Sequence, residues 1–154
     1  MKKLPEVEAA KELMMEATKW SVMKWLREKK RVRKTADQAN AALDRFSLEL
    51  KQRWPENLRS AYESVVAESG AARGNHGSCK QALPLSGADA WLMVKKVKEA
   101  DEEAYHARMK AEATFDQAER QLSTRLARQG CVEAIHSWDL KEKAISKAEK
   151  LFCP

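Results

Sequence analysis

The sequence contains two copies of the pattern Glu-x-x-His, at Glu103-Ala-Tyr-His106 and Glu133-Ala-Ile-His136, and each combines two side chains that can bind a metal ion. On a helix the two side chains of each pattern share one face, and such pairs hold metal ions in the core of some helical bundles. If the two helices turn at Gly130, the patterns lie roughly 36 Å apart along the bundle, since each helical residue rises about 1.5 Å. We therefore expect no cofactor and no metal site shared by the two patterns within one chain, and only an unusual dimer could bring them together.

His76 and Cys79 have a spacing typical of metal ligands, within the glycine-rich segment GNHGSCK. A zinc site needs further ligands, and we expect Cys131 and Cys153 at the other end of the molecule. The same pair could act as base and nucleophile, but no third group orients the histidine. We predict that the chain is not an enzyme, and no small-molecule substrate is evident. Three widely spaced cysteines favour reduced thiols over a disulfide framework. The N-terminal residues are acidic by position 6 and hold no apolar run typical of a signal peptide, so we expect a cytoplasmic protein.

The stretch KWLREKKRVRK, residues 24–34, holds seven basic side chains and one acidic side chain. The whole chain has 29 basic and 23 acidic residues, so the formal net charge of +6 belongs entirely to this stretch. Lysine and arginine release counterions when they neutralise phosphates, so such a cluster suits a polyanion. On a helix, five of the basic residues fall within an arc of about 120°. They are Lys24, Arg27, Lys30, Arg31 and Lys34.

The same charges have a simpler interpretation as a solvated helical face. They could also pair with Asp101, Glu102 and Glu103 on a neighbouring helix. Trp20 lies beside the arc and could stack on a nucleic-acid base. Its size and position favour a place in the core beneath another helix instead.

Composition and periodicity predict the all-α class. Charged residues make up 34% and aromatic residues 6%, with only 5 glycines and 4 prolines, as is typical of long helices. A length of 154 residues favours one domain over 1–154. Apolar residues recur every three or four positions. They predict helices at about 5–53, 56–69, 88–129 and 131–152, with a flexible loop over 70–87. No apolar run is long enough to span a membrane, so we expect no membrane partner.

The two long helices are expected to pair as an elongated antiparallel hairpin, each burying its apolar stripe on the other. This pairing places Leu50 near Trp91 and Ala36 near Ala104, in a thin shaft. The short helix and the loop form the tip. The C-terminal helix turns back at Gly130 and completes a three-helix bundle at the base. A compact four-helix bundle, made by breaking the first helix near Arg33, would satisfy the same periodicities.

These features predict a non-catalytic helical interaction or scaffold protein that docks a protein partner or a second copy of itself, in the manner of a coiled coil. Residues at the tip that could form the docking surface are Tyr62, Trp91 and Leu92. The alternative is nucleic-acid or other polyanion binding through the face within 24–34. Such binding would be independent of sequence, because few groups that could read base edges lie nearby.

Overall fold

Five α-helices make up nearly all of the described structure. The structure, a computed structural model, describes residues 3–71 and 87–152, and most of the predicted loop over 70–87 lies outside them. No strand occurs in these segments, so the predicted all-α class is confirmed. The helices are α1 (Pro5–Ala17), α2 (Val22–Gln52), α3 (Glu56–Ala71), α4 (Gly87–Gln121) and α5 (Thr124–Phe152).

The predicted first helix is interrupted, and α1 and α2 are separate helices. Thr18 closes α1 by donating its hydroxyl to the Met15 carbonyl (2.6 Å). Ser21 is the N-cap of α2, where its hydroxyl oxygen accepts a hydrogen bond from the Lys24 amide (3.3 Å). Serine is a preferred N-cap because it satisfies one of the free amides of the first turn. The break lies well before Arg33, so the alternative with a break there is also wrong.

The break lets α1 fold back antiparallel against α2 and α5. The Glu6 carboxylate lies 3.9 Å from the Arg45 guanidinium. Lys11 donates to Glu142 (2.6 Å) and lies 2.9 Å from the Asp139 carboxylate. Burial works against the Lys11 charge, but these two carboxylates outweigh it and raise the lysine's pKa. The helices α1, α2 and α5 thus pack together. This differs from the predicted base, in which α1 and α2 formed one continuous helix packed against the helices at about 88–129 and 131–152.

The turn between α4 and α5 lies at Leu122 and Ser123, not at Gly130. Leu122 takes a left-handed backbone conformation, with φ of 53°. The Ser123 amide donates to the Ala118 carbonyl (3.2 Å), which closes the last turn of α4. This ending is usually made by glycine, and here a leucine adopts it. The Ser123 hydroxyl oxygen then accepts from the Leu126 amide (3.5 Å) at the start of α5.

Gly130 lies inside α5, where it packs against α4. A Cβ atom at this position would lie 3.3 Å from Cγ of Phe115. The glycine therefore lets the ring of Phe115 lie directly on the α5 backbone. Phe115 in turn stacks on Trp25 of α2, with ring centroids 5.9 Å apart and an angle of 9° between the planes.

The helix that packs most extensively against α4 is α5. The predicted close pairing of α2 with α4 is wrong in its register and in the distance between the two helices. The Lys51 ammonium lies 3.8 Å from the Asp101 carboxylate. This part of α2 was predicted to lie beside Trp91, so it contacts α4 about two to three helical turns nearer to the C-terminal end of α4 than predicted. The helices α2 and α4 make few close backbone contacts. Instead α5 runs parallel to α2, since Trp138 bonds to Asn40 and Lys141 to Asp44. Its far end reaches Leu50, Trp54 and Val97, which line a small cavity with Ile145.

Candidate functional site

All five residues of the predicted basic arc are exposed on one face of α2. This basic face consists of Lys24, Arg27, Lys30, Arg31 and Lys34. The other two basic residues of the stretch, Lys29 and Arg33, are half-buried. Trp25 and Val32 are buried on the opposite side of the same helix. The helical period therefore separates the cations that face solvent from those that face the bundle.

Few acidic side chains neutralise the basic face. Among the described residues, only Arg31 of the five has a carboxylate within 4 Å, that of Glu28 at 3.4 Å. The predicted pairing with Asp101, Glu102 and Glu103 is wrong, because the register places that segment elsewhere. Asp101 accepts a hydrogen bond from Tyr62, and Glu102 accepts one from Lys98.

The edge of the basic face that adjoins α4 is of mixed charge. Lys30 and Lys34 border a shallow groove that also contains Asp37, Asp116 and Glu119. Half-buried Arg33 crosses this groove and donates to Asp116 (2.6 Å). The positive surface therefore points outward from α2 and does not extend across to α4.

Trp20 is a core residue, with 6% of its surface exposed. The Lys24 ammonium lies 5.1 Å from the centroid of its ring, within the range of a cation–π contact. Arg128 of α5 donates to the Trp20 carbonyl (3.3 Å). Trp20 thus anchors one end of the basic face and is not available to stack on a base.

The three residues predicted to dock a partner differ in their exposure. Trp91 is buried (5% exposed), and Leu92 is half exposed (50%). Tyr62 is half-buried, where it donates to Asp101 (3.0 Å) and accepts from Lys51 (2.9 Å). Burial, followed by the Asp101 carboxylate, raises the pKa of Tyr62 well above its usual value. Leu92 is therefore the member of the set that lies at the surface.

The Glu-x-x-His patterns lie closer together than predicted, because the turn is at Leu122. Glu133 lies 3.7 Å from the ammonium of Lys110, which is only about 10 Å along α4 from Glu103. In the described part of the chain, His, Cys, Asp and Glu side chains nowhere gather in threes, as a metal ion would require.

The cysteines give no nucleophile in the described residues. Cys131 is fully buried, and burial raises the pKa of its thiol to about 12. A thiol with that pKa stays protonated near neutral pH and is a poor nucleophile. The predicted ligands His76 and Cys79 lie outside the described residues, as does Cys153.

A second cationic site, which the sequence did not predict, is a cleft of about 450 Å³ between α2 and α4. Three cations line it, Lys51, Arg108 and Lys141. Lys141 donates to Asp44, and Arg108 lies 3.6 Å from the other oxygen of the same carboxylate. Burial is the main cause of a lowered pKa at Lys51, which Asp101 only partly offsets. The cations of the cleft are thus partly desolvated and paired with carboxylates.

The floor of the cleft is polar and buried. The indole Nε1 of Trp138 donates to the side-chain oxygen of Asn40 (2.8 Å). Ser47 and Ser137 lie beside this pair, and the Ser137 hydroxyl donates to the Ala134 carbonyl (2.7 Å). Asn40 and Ser47 are seven residues apart, next to the apolar stripe of α2. Their polarity was the one signal in the sequence that could have indicated this site.

Comparisons of the chain with protein-family models, with curated proteins and with solved structures found no match. Within residues 3–71 and 87–152, no helix combines the length and the apolarity that crossing a membrane requires.

Proposed function

We propose that this chain is a non-catalytic helical binding protein whose basic face binds polyanions, nucleic acid in the first place, without reading sequence. The observation that carries the proposal is the exposure of all five cations on one face of α2, with a carboxylate beside only one of them in the described structure. Charges left to solvent in this way can neutralise phosphates without first breaking an ion pair.

The geometry of α2 suits a backbone of phosphates. From Lys24 to Lys34 the face extends roughly 15 Å along the helix. Successive phosphates of one DNA strand are a few ångströms apart, so several can meet these side chains together. Trp20 is buried, so it is not available to stack on a base. The expected binding is therefore modest in affinity, sensitive to salt and indifferent to sequence.

The test is fluorescence anisotropy with a labelled DNA duplex and a labelled single-stranded RNA. The variant Arg27→Glu/Lys30→Glu/Arg31→Glu should weaken binding by about a hundredfold or more, because it replaces three phosphate contacts with repulsion. The matched control is Lys143→Glu/Lys147→Glu/Lys150→Glu, which reverses three exposed lysines of α5. Both variants bring the formal net charge of +6 to zero.

The paired variants separate a local site from a general effect of charge. Retained affinity in the α5 variant with loss in the α2 variant supports the proposal. Equal loss in both would mean that net charge alone drives binding, and the basic face would not be a site. Tighter binding to vesicles of anionic lipid than to either nucleic acid would overturn the assignment of nucleic acid as the partner.

A second candidate function is docking of a protein partner or a second copy through the region of α3 and α4. It is favoured by the exposure of two large apolar side chains there, Val66 (44%) and Leu92 (50%). Sedimentation equilibrium of the native chain and of Leu92→Asp tests it, with Val132→Asp on α5 as a control at a similarly exposed apolar position. Self-association lost only in Leu92→Asp would support docking there. A monomeric native chain would exclude a homodimer.

A further inference from the structure

The cleft between α2 and α4 has the size of a site for a small organic molecule. Its volume of about 450 Å³ lies within the range that such ligands occupy in proteins. It exists because α5 separates α2 from α4, so these two helices meet through long side chains and not through their backbones. The cleft is a consequence of the fold and not of a mobile segment.

The lining of the cleft carries an excess of positive charge. The side chains of Lys51, Arg108 and Lys141 are 27%, 34% and 24% exposed, against two carboxylates, Asp44 and Asp101. One carboxylate therefore serves two of the cations, since Lys141 and Arg108 both lie on Asp44. Among the lining residues alone, one added negative charge would balance the three cations, and Glu112, outside the lining, also lies 3.2 Å from Arg108.

Spare hydrogen-bond donors remain on these cations. Arg108 offers five N–H donors, of which Nε bonds to Glu112 (3.2 Å) and one terminal nitrogen faces Asp44. The planar guanidinium matches a carboxylate with two parallel hydrogen bonds. Asp44 is half exposed and can turn toward water, which would leave Arg108 and Lys141 free to hold an incoming carboxylate.

The rim of the cleft supplies apolar surface. Leu48 on α2 and Tyr105 on α4 both line the cleft, and each is more than half exposed. Met109, one turn after Tyr105 on α4, is also exposed. A flat apolar body between the two helices would remove these side chains from water, which is favourable in proportion to the area covered. The ligand indicated is thus charged at one end and apolar at the other.

We propose that this cleft binds a small organic acid that has one carboxylate and a flat apolar body. The carboxylate is held by Arg108 and Lys141, and the apolar body lies against Tyr105 and Leu48. The cleft shares no residue with the basic face, so ligand binding in the cleft does not depend on polyanion binding. It adds a ligand that the sequence did not indicate.

The probe is 2-naphthoate, titrated into the native chain and followed by amide chemical shifts. Saturable binding is expected, with the largest shifts at Asn40, Ser47 and Ser137. Acetate, which lacks the apolar body, and 2-naphthamide, which lacks the charge, should each bind about tenfold more weakly or worse. The charge-reversed basic-face variant should bind 2-naphthoate as the native chain does.

Two arginine variants on the same helix make the test specific. Arg108→Gln should weaken 2-naphthoate by about tenfold, because it removes the bidentate partner. Arg120→Gln is the matched control, on an exposed residue roughly 18 Å further along α4, and should change affinity less than about twofold. If circular dichroism shows that Arg108→Gln is unfolded, Lys141→Gln takes its place, with the same expected loss.

Four results of the binding experiments would overturn the proposal. They are no binding of 2-naphthoate up to about 10 mM, equal binding of the neutral amide, shifts confined to the basic face, and equal loss in the Arg108 and Arg120 variants. A dimer that buries Tyr105 and Leu48 and excludes 2-naphthoate would overturn it as well, since a second copy would then be the occupant.

Discussion

The basic face and the cleft both gather cations, but in opposite surroundings. On the basic face five cations point into solvent, and within the described structure a single carboxylate, that of Glu28, lies within 4 Å of any of them. In the cleft three cations are partly buried, and each lies within 4 Å of Asp44 or Asp101. The cations of the basic face are therefore available to a partner, whereas those of the cleft are paired with carboxylates of the protein itself.

A count of charges alone therefore does not identify a binding surface. Exposed ion pairs contribute little to stability, so removing cations from the basic face should not affect the fold. Partly buried charges lose hydration, and the attraction between the two partners of a pair offsets that cost. Removing one partner should therefore lower stability, and the pairs in the cleft should also affect which ligand binds there. Mutations in the cleft should therefore lower stability and leave polyanion affinity unchanged. Mutations on the basic face should lower polyanion affinity and leave stability unchanged.

The largest effect on stability is expected at the floor of the cleft. Asn40→Ala removes the acceptor of the buried Trp138 Nε1–H and should lower the free energy of unfolding by about 2 kcal/mol. Arg31→Ala on the basic face is the comparison, with an expected change below about 0.5 kcal/mol. Urea denaturation of the two variants measures both. Equal losses of stability in the two variants would contradict the claim that the cleft stabilises the fold and the basic face does not.

A smaller loss is expected where α4 and α5 touch. Gly130→Ala gains helix propensity of roughly 1 kcal/mol, but its Cβ meets Phe115, which is held against Trp25. Overpacking should win, with a net destabilisation of about 1 kcal/mol measured by thermal unfolding. Lys143→Ala, at an exposed position of the same helix, should be nearly neutral. A more stable Gly130→Ala variant would mean that the ring is free to shift, contrary to this packing.

The smallest effect should be a gain, at the turn that sets the register between α4 and α5. Leu122 has a φ of 53°, which glycine adopts without strain, so Leu122→Gly should stabilise the chain by about 0.5 kcal/mol. Glycine also gains entropy in the unfolded chain, which limits the benefit. Thermal unfolding measures the change. Leu126→Gly, inside α5, should instead destabilise it, and a loss at Leu122 would place the turn elsewhere.

Local properties of the sequence predicted the elements that depend on one helix alone. The predicted boundary between helices ending at about 53 and starting at about 56 agrees with α2 and α3. It coincides with Pro55, whose carbonyl accepts from the amides of Leu58 and Arg59. The arc of the basic face followed directly from the period of 3.6 residues, because Lys24 to Lys34 lies within one uninterrupted helix. For such a surface, spacing along the chain is enough.

Properties that depend on several helices were not predictable in the same way. Gly130 lies inside α5, where it lets Phe115 pack against the backbone. Glycine is also common just after the end of a helix, so the sequence alone favours a helix end at this position. That one choice moved the turn by about eight residues and displaced the predicted contacts between α4 and α5. The register between α2 and α4 was misplaced separately, by matching their apolar stripes. The cleft was missed for both reasons, because Asp44, Arg108 and Lys141 meet only when all three helices are in the correct register.

The salt dependence of duplex binding is the decisive test of the basic face as a phosphate-binding surface. Anisotropy titrations of the native chain from about 50 to 200 mM salt should give a slope near −4.5 in a plot of log affinity against log salt concentration. This value is expected when about five phosphates are neutralised. The Arg27→Glu/Lys30→Glu/Arg31→Glu variant should lose most of that slope, and Arg108→Gln should keep it. A native slope near zero, or an unchanged slope in the triple variant, would contradict the assignment of the basic face as the binding surface.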